Sequence, residues 1–165
     1  MRKLWFALTV LPAMICAGMT EAQEKVFLIR HAEEELLSGA NPKLSSEGRE
    51  RAARYASMLR DAEIDVLFSS STVRTQETGD IIAESLGVPS HSFNKYGYGE
   101  MLAQVEAQNV DDTILIVGNS GTIPTMLRLL GVVEEVKVSK SDYDNLFLVV
   151  PNDNGPSQFV RLRMP

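Results

Sequence analysis

Histidine and cysteine, which carry much of covalent and metal chemistry, are scarce in this chain. There are two histidines and one cysteine in 165 residues. The cysteine, Cys16, lies in an N-terminal stretch that reads as removable, so the rest of the chain has no thiol nucleophile, no disulfide and no cysteine-based metal site. Two histidines without clustered carboxylates or thiolates do not make a zinc site, and neither a metal nor a cofactor is expected. Basic residues are also few: 16 Lys and Arg face 22 Asp and Glu, a net charge of −6. A nucleic-acid footprint is basic and clustered, so nucleic acid is not an expected partner. No internal repeat, low-complexity tract or interdomain linker is present. No G-x-G-x-x-G follows the first strand-like run, and Gly118-Asn119-Ser120-Gly121 lacks the lysine of a P-loop.

Long apolar runs are nearly absent too. The one charge-free apolar stretch, Leu4–Met19, follows Arg2 and Lys3 and contains Pro12. It is shorter than the ~20 apolar residues a membrane-spanning helix needs. Thr20 and Ala22 sit three and one before a cut ahead of Gln23, the layout of a secretory signal peptide. Residues 1–22 are therefore expected to engage export machinery and be removed, giving a periplasmic or secreted protein; the alternative is an uncleaved anchor. Ile15 is too bulky for the position before a lipidated Cys16. Residues 23–165 then form a single domain, large enough for a core of its own. Losing Arg2, Lys3 and Glu21 takes the net charge from −6 to −7. An acidic protein that binds anions must concentrate its cations locally.

Strand-like and helix-like segments alternate, which predicts an α/β fold: a three-layer sandwich with a mostly parallel twisted sheet covered by helices on both faces. Short apolar runs at Lys25–Ile29, Ile64–Phe68 and Thr113–Val117 suit buried strands. Ser90–Phe93 suits a short edge strand, and Leu146–Val150 and Gln158–Leu162 suit two final strands joined by a turn at Asn152–Pro156. A helix is expected from Ser45 or Ser46 to about Arg60, with Glu47–Arg51 and Glu50–Arg54 pairs four apart. Further helices are expected at Arg74–Leu86, capped by Gly87 and stopped by Pro89, at Glu100–Gln108, and at Thr122–Leu130.

Three polar clusters directly follow predicted strands: Arg30-His31-Ala32-Glu33, Ser69 to Arg74, and Gly118-Asn119-Ser120-Gly121. In open α/β sheets, ligands bind beyond the carboxyl ends of the strands, so the three loops should converge there. Two bring arginine, whose planar fork suits phosphate oxygens, and one brings histidine, a possible nucleophile. Helices starting near Arg74 and Thr122 would aim their free N–H groups at an anion.

Leu28–Glu33 (LIRHAE) resembles the signature of the histidine phosphatase superfamily, whose members have the phosphoglycerate mutase-like fold. Pro42–Gly48 (PKLSSEG), Ser70–Thr78 (SSTVRTQET) and Tyr143–Val150 (YDNLFLVV) are similar to its later motifs, in the same order. Val117–Pro124 (VGNSGTIP) occupies the place of the third motif, where members carry Gly-His-Ser. The resemblance implies a phosphomonoester hydrolase in which His31 attacks phosphorus and Arg30 and Arg74 clamp the oxygens. It also implies that the second catalytic histidine has become Asn119, which can donate a hydrogen bond but carries no charge and shuttles no proton. Turnover should then be impaired and phosphate binding retained; the alternative is a non-catalytic, phosphate-ligand-binding pseudo-phosphatase of the same fold. The expected ligand is a small phosphorylated substrate or inorganic phosphate.

A proton donor for the leaving group is sought among nearby acids. Glu33 is the nearest in sequence to His31, and Glu100 is a second candidate; Glu33-Glu34-Glu35 also reads as a solvated acidic run. Ser70 and Ser120 either contact phosphate or cap helices. His91, past the second helix, reads as a surface or half-buried residue, and Tyr96 and Tyr98 as one wall of an open pocket or part of a loop.

Overall fold

The computed structural model describes residues 25–36, 39–108, 111–152 and 154–164. The expected signal peptide at residues 1–22 lies outside the described residues. Six strands form one sheet: β1 (Lys25–Arg30), β2 (Val66–Ser70), β3 (Ser90–Phe93), β4 (Thr113–Gly118), β5 (Asn145–Val150) and β6 (Gln158–Arg163). Their order is β3-β2-β4-β1-β5-β6. The pairs β3–β2, β2–β4 and β4–β1 are parallel, whereas β5 is antiparallel to both β1 and β6. The α/β expectation holds, with the sheet mixed at one side.

Four helices connect and cover the strands: α1 (Ser46–Met58), α2 (Val73–Leu86), α3 (Tyr98–Gln108) and α4 (Ile123–Leu129). Because side chains alternate along a strand, the central strands β1, β2 and β4 and their neighbour β5 feed two cores. Val26, Leu28, Val66, Phe68, Ile114 and Ile116 pack with Met101, Leu102 and Val105 of α3 and Ile123, Met126 and Leu127 of α4. Phe27, Ile29, Leu67, Leu115 and Val117 pack with Ala52, Tyr55 and Ala56 of α1 and Ile82 and Ala83 of α2. The result is three layers around a doubly covered sheet.

Local chemistry sets the helix ends. Ser45 caps α1, its hydroxyl accepting from the Gly48 N–H at 3.1 Å. Gly87, at φ 72°, takes the left-handed position that ends α2, a conformation open to glycine at little cost. On α1 the Glu47–Arg51 pair is loose at 4.0 Å, because Arg51 turns instead to Glu33 at 2.6 Å.

The second strand starts two residues later and ends two residues later than its apolar run suggests. Asp65 stays outside it and brackets Thr113: Asp65 N donates to Thr113 O, and Thr113 N donates to Asp65 Oδ2. At the far end Ser69 and Ser70 join the strand although both hydroxyls are buried without a partner among the described residues. Burying such a hydroxyl costs ~1–3 kcal/mol. Full burial of Val66, Leu67 and Phe68 returns ~1.5–3 kcal/mol each, so the strand carries its two serines to the sheet's carboxyl edge.

Candidate active site

The parallel register fixes where the three polar clusters meet. Arg30 lies beside Gly118, the last residues of β1 and β4, and Ser69 lies beside Val117 on the other side of β4. The chains leaving β1, β4 and β2 therefore emerge side by side in the middle of the sheet. His31 N donates to Gly118 O at 2.9 Å, extending the pairing by one residue. Across from it, α2 starts three residues beyond β2 and puts Arg74 in its first turn.

His31 is almost wholly buried. Its Nδ1 lies 2.8 Å from the carbonyl oxygen of Ala32, and a carbonyl can only accept, so Nδ1 carries the proton. Nε2 is then the ring's lone-pair nitrogen, and it accepts from Arg74 Nε at 3.1 Å. Desolvation, aided by the charges of Arg30, Arg74 and Lys95, lowers the imidazole pKa from 6.5 to about 3, while the Ala32 hydrogen bond acts in the opposite direction. At neutral pH the ring is uncharged, with its nucleophilic nitrogen facing a guanidinium. The ring orientation is fixed through Ala32, whose N–H donates to Thr78 Oγ1, which in turn donates to Arg74 O. One short network thus couples the His31 loop to α2.

Arg30 is held differently. Its Nη1 donates to Lys140 O at 2.5 Å, and its guanidinium lies 3.9 Å from the Tyr143 ring centre. Tyr143 also meets the His31 ring edge-on at 6.0 Å. The segment bearing Tyr143 is anchored by Tyr55 of α1, whose hydroxyl contacts Tyr143 O and Asn145 O at 2.8 and 2.9 Å. Burial pushes the Tyr55 pKa well above its ordinary value, so this hydroxyl remains a donor.

Three polar atoms at this edge have no hydrogen-bond partner among the described residues: Arg30 Nε, Ser70 Oγ and Asn119 Nδ2. They come from the ends of the neighbouring strands β1, β2 and β4. Buried polar groups are almost always paired, and all three can donate, so together with Arg74 they suit an oxygen-rich anion. Asn119 Oδ1 accepts from Gly121 N at 3.1 Å, which leaves the amide nitrogen as its free end. Ser120 sits half-buried beside it.

The helix-end expectation holds poorly at α4. That helix has seven residues, and the Thr122 and Ile123 N–H groups donate to Asn119 O. They close the turn instead of facing a ligand.

Among the acids, Glu33 is engaged elsewhere: Arg51 donates to its Oε1 through Nε and Nη2, each at 2.6 Å. The carboxylate that reaches the pocket is Glu34, 2.9 Å from Arg74 Nε. Glu100 and His91 line a separate groove of about 520 Å³ between β3 and α3. His91 is exposed on the edge strand, its ring 5.6 Å from Phe68. Tyr96 is exposed, and Tyr98 opens α3 and packs on the core. Glu34, Tyr143 and Lys95 were not singled out as site residues by their sequence context.

The model of the histidine phosphatase superfamily (branch 1) matches residues 26–95, which include Arg30, His31 and Arg74. A comparison with curated proteins finds no match. Among solved structures, the chain is similar to the protein histidine phosphatase SixA complexed with tungstate, at 17% identity and a TM-score of 0.69, over 84% of this chain and 96% of that one. It is also similar to a mycobacterial glucosyl-3-phosphoglycerate phosphatase complexed with VO3, at 12% identity and a TM-score of 0.65, over 86% of this chain and 100% of that one. The stretch that carries the first two motifs thus matches the histidine phosphatase superfamily model, and the chain shares the fold of these two phosphatases.

Proposed function

We propose that this protein is an exported phosphomonoester hydrolase acting through a phosphohistidine on His31, with turnover lowered by Asn119. The observation that carries the reading is the uncharged Nε2 of His31, 3.1 Å from Arg74 Nε. The partnerless donors of Arg30, Ser70 and Asn119 around it support an oxyanion ligand. So do the tungstate and VO3 complexes of the two phosphatases of similar fold.

In the first step the Nε2 lone pair attacks phosphorus. The N–P bond forms as the bond to the leaving oxygen breaks, and that oxygen takes a proton from solvent. Water then attacks phosphorus and gives up a proton to solvent, the P–N bond breaks, its electron pair returns to Nε2, and phosphate departs. Arg30 and Arg74 hold the equatorial oxygens, and Ser70, Ser120 and Asn119 complete the cradle. Such transfer depends mainly on positioning and charge stabilisation. Glu33, held by Arg51, is assigned to bracing the His31 loop and not to proton donation. The substrates are small phosphoesters, and residues 1–22 serve as the export signal.

Losing one well-placed transition-state donor costs roughly 10²–10³ in rate. Asn119 keeps an N–H but lacks charge, so Asn119→His is expected to raise kcat on a generic aryl phosphate by at least ~10-fold on the same principle, and His31→Ala to abolish turnover. Equal rates for the natural chain and Asn119→His would refute the impairment.

A second reading, a phosphate-ligand-binding protein without turnover, is favoured by one feature, Asn119 itself. Quenching into alkali, which spares an N–P bond that acid cleaves, separates the two. Labelled phosphate retained on His31 supports the hydrolase; ligand binding with no label supports the binding protein.

A further inference from the structure

We propose that Lys95 is a third cation of the phosphate pocket, gripping the bound anion in place of the charge that Asn119 does not supply. This role presupposes the phosphate site at His31. Lys95 follows β3 by two residues, and the last residue of β3, Phe93, lies beside Ser70 at the end of β2. Lys95 therefore emerges at the same sheet edge as Ser70, one strand further out. Its backbone is fixed there. Lys95 N donates to Ser71 Oγ at 3.3 Å, while Asn94 accepts from Tyr96 N at 3.0 Å and from Gly97 N at 2.8 Å. The turn that carries Lys95 is thus tied to the segment that carries Arg74.

Charge balance favours the assignment. A phosphomonoester carries about −1.5 to −2 at neutral pH. Arg30 and Arg74 bring +2, but Glu34 is paired with Arg74 and returns the local sum to +1. Lys95 is half-buried, and no carboxylate pairs with it among the described residues. Adding it restores +2, which matches a dianion. Its charge already reaches the imidazole, together with those of the two arginines. Its Nζ lies 5.2 Å from the Tyr96 ring centre, and its flexible four-carbon stem lets the ammonium move onto a ligand.

The test is calorimetric titration with tungstate of the natural chain and of Lys95→Met, Lys95→Arg, Arg74→Ala and Lys25→Met. Lys25 opens β1 at the opposite end of the sheet and controls for net charge. Lys95→Met is expected to weaken binding about tenfold, Lys95→Arg to restore it, and Lys25→Met to change nothing. If Lys95→Met binds as the natural chain does while Arg74→Ala does not bind, the pocket stands and Lys95 is only a surface residue. Lys95 is equally reduced to a surface charge if Lys25→Met weakens binding as much as Lys95→Met. If the natural chain itself binds no tungstate, both the pocket and the role of Lys95 fall.

Discussion

At the scale of single residues, the pocket holds a competitor for the phosphate ligand proposed for it. Arg74 Nε has one hydrogen, yet it faces both His31 Nε2 at 3.1 Å and Glu34 Oε2 at 2.9 Å. A phosphate oxygen arriving at this guanidinium must displace or outcompete the Glu34 carboxylate. The pair is partly exposed, which limits its strength to ~1 kcal/mol. Glu34→Gln is therefore expected to tighten tungstate binding about fivefold, the equivalent of ~1 kcal/mol, as measured by calorimetry. Unchanged or weaker binding would mean that Glu34 stays on Arg74 in the complex. Arg30, His31 and Arg74 were legible in the sequence because each lies in a motif at or just after a strand. Glu34 was not, since within Glu33-Glu34-Glu35 nothing local says which acid turns inward. The choice is made by Arg51, a helix away, which draws off Glu33. Tyr143 was hidden for a similar reason, reaching Arg30 only because Tyr55 pins its segment down.

At the scale of elements, the His31 loop is held by close packing against α1. Ser45 N and its hydroxyl both donate to Glu33 O. A Cβ at Gly48 would collide with that same carbonyl, and backbone on both sides leaves little room to yield. Gly48→Ala is expected to cost about 1–3 kcal/mol, a drop of roughly 3–12 °C in Tm for a domain of this size, read by thermal melting. A melting temperature equal to that of the natural chain would show that α1 can slide without penalty. The positions of the elements could be read from apolar runs and caps, as Gly87 after α2 shows. Their ends were less legible. Ser69 and Ser70 carry no apolar signal, and β2 keeps them because Val66, Leu67 and Phe68 anchor the strand. The Gly97 and Gly99 spacing suggests a loop, yet α3 begins at Tyr98, whose ring packs on the core.

At the scale of the whole molecule, the buried imidazole couples the proposed function to stability. In the unfolded chain the His31 pKa returns to 6.5, above the folded value of about 3. Between those values the unfolded state binds more protons, so stability is full above about pH 6.5 and falls as pH drops towards 3, by up to a few kcal/mol. The parallel run of β1, β4, β2 and β3 follows from the alternation of strands and helices, whereas their order in the sheet does not. The antiparallel β5 and β6, which complete the core beside β1, could not be oriented from their apolar runs alone. The proposed function depends on a neutral histidine, poised at the proposed anion site, that resists protonation. Nitrogen NMR of the His31 imidazole between pH 8 and pH 3, with and without tungstate, reads this directly. The prediction is a proton on Nδ1, an unprotonated Nε2 until close to pH 3, and an Nε2 resonance that shifts when tungstate binds. An imidazole that titrates near 6.5, or an Nε2 resonance indifferent to tungstate, would contradict it.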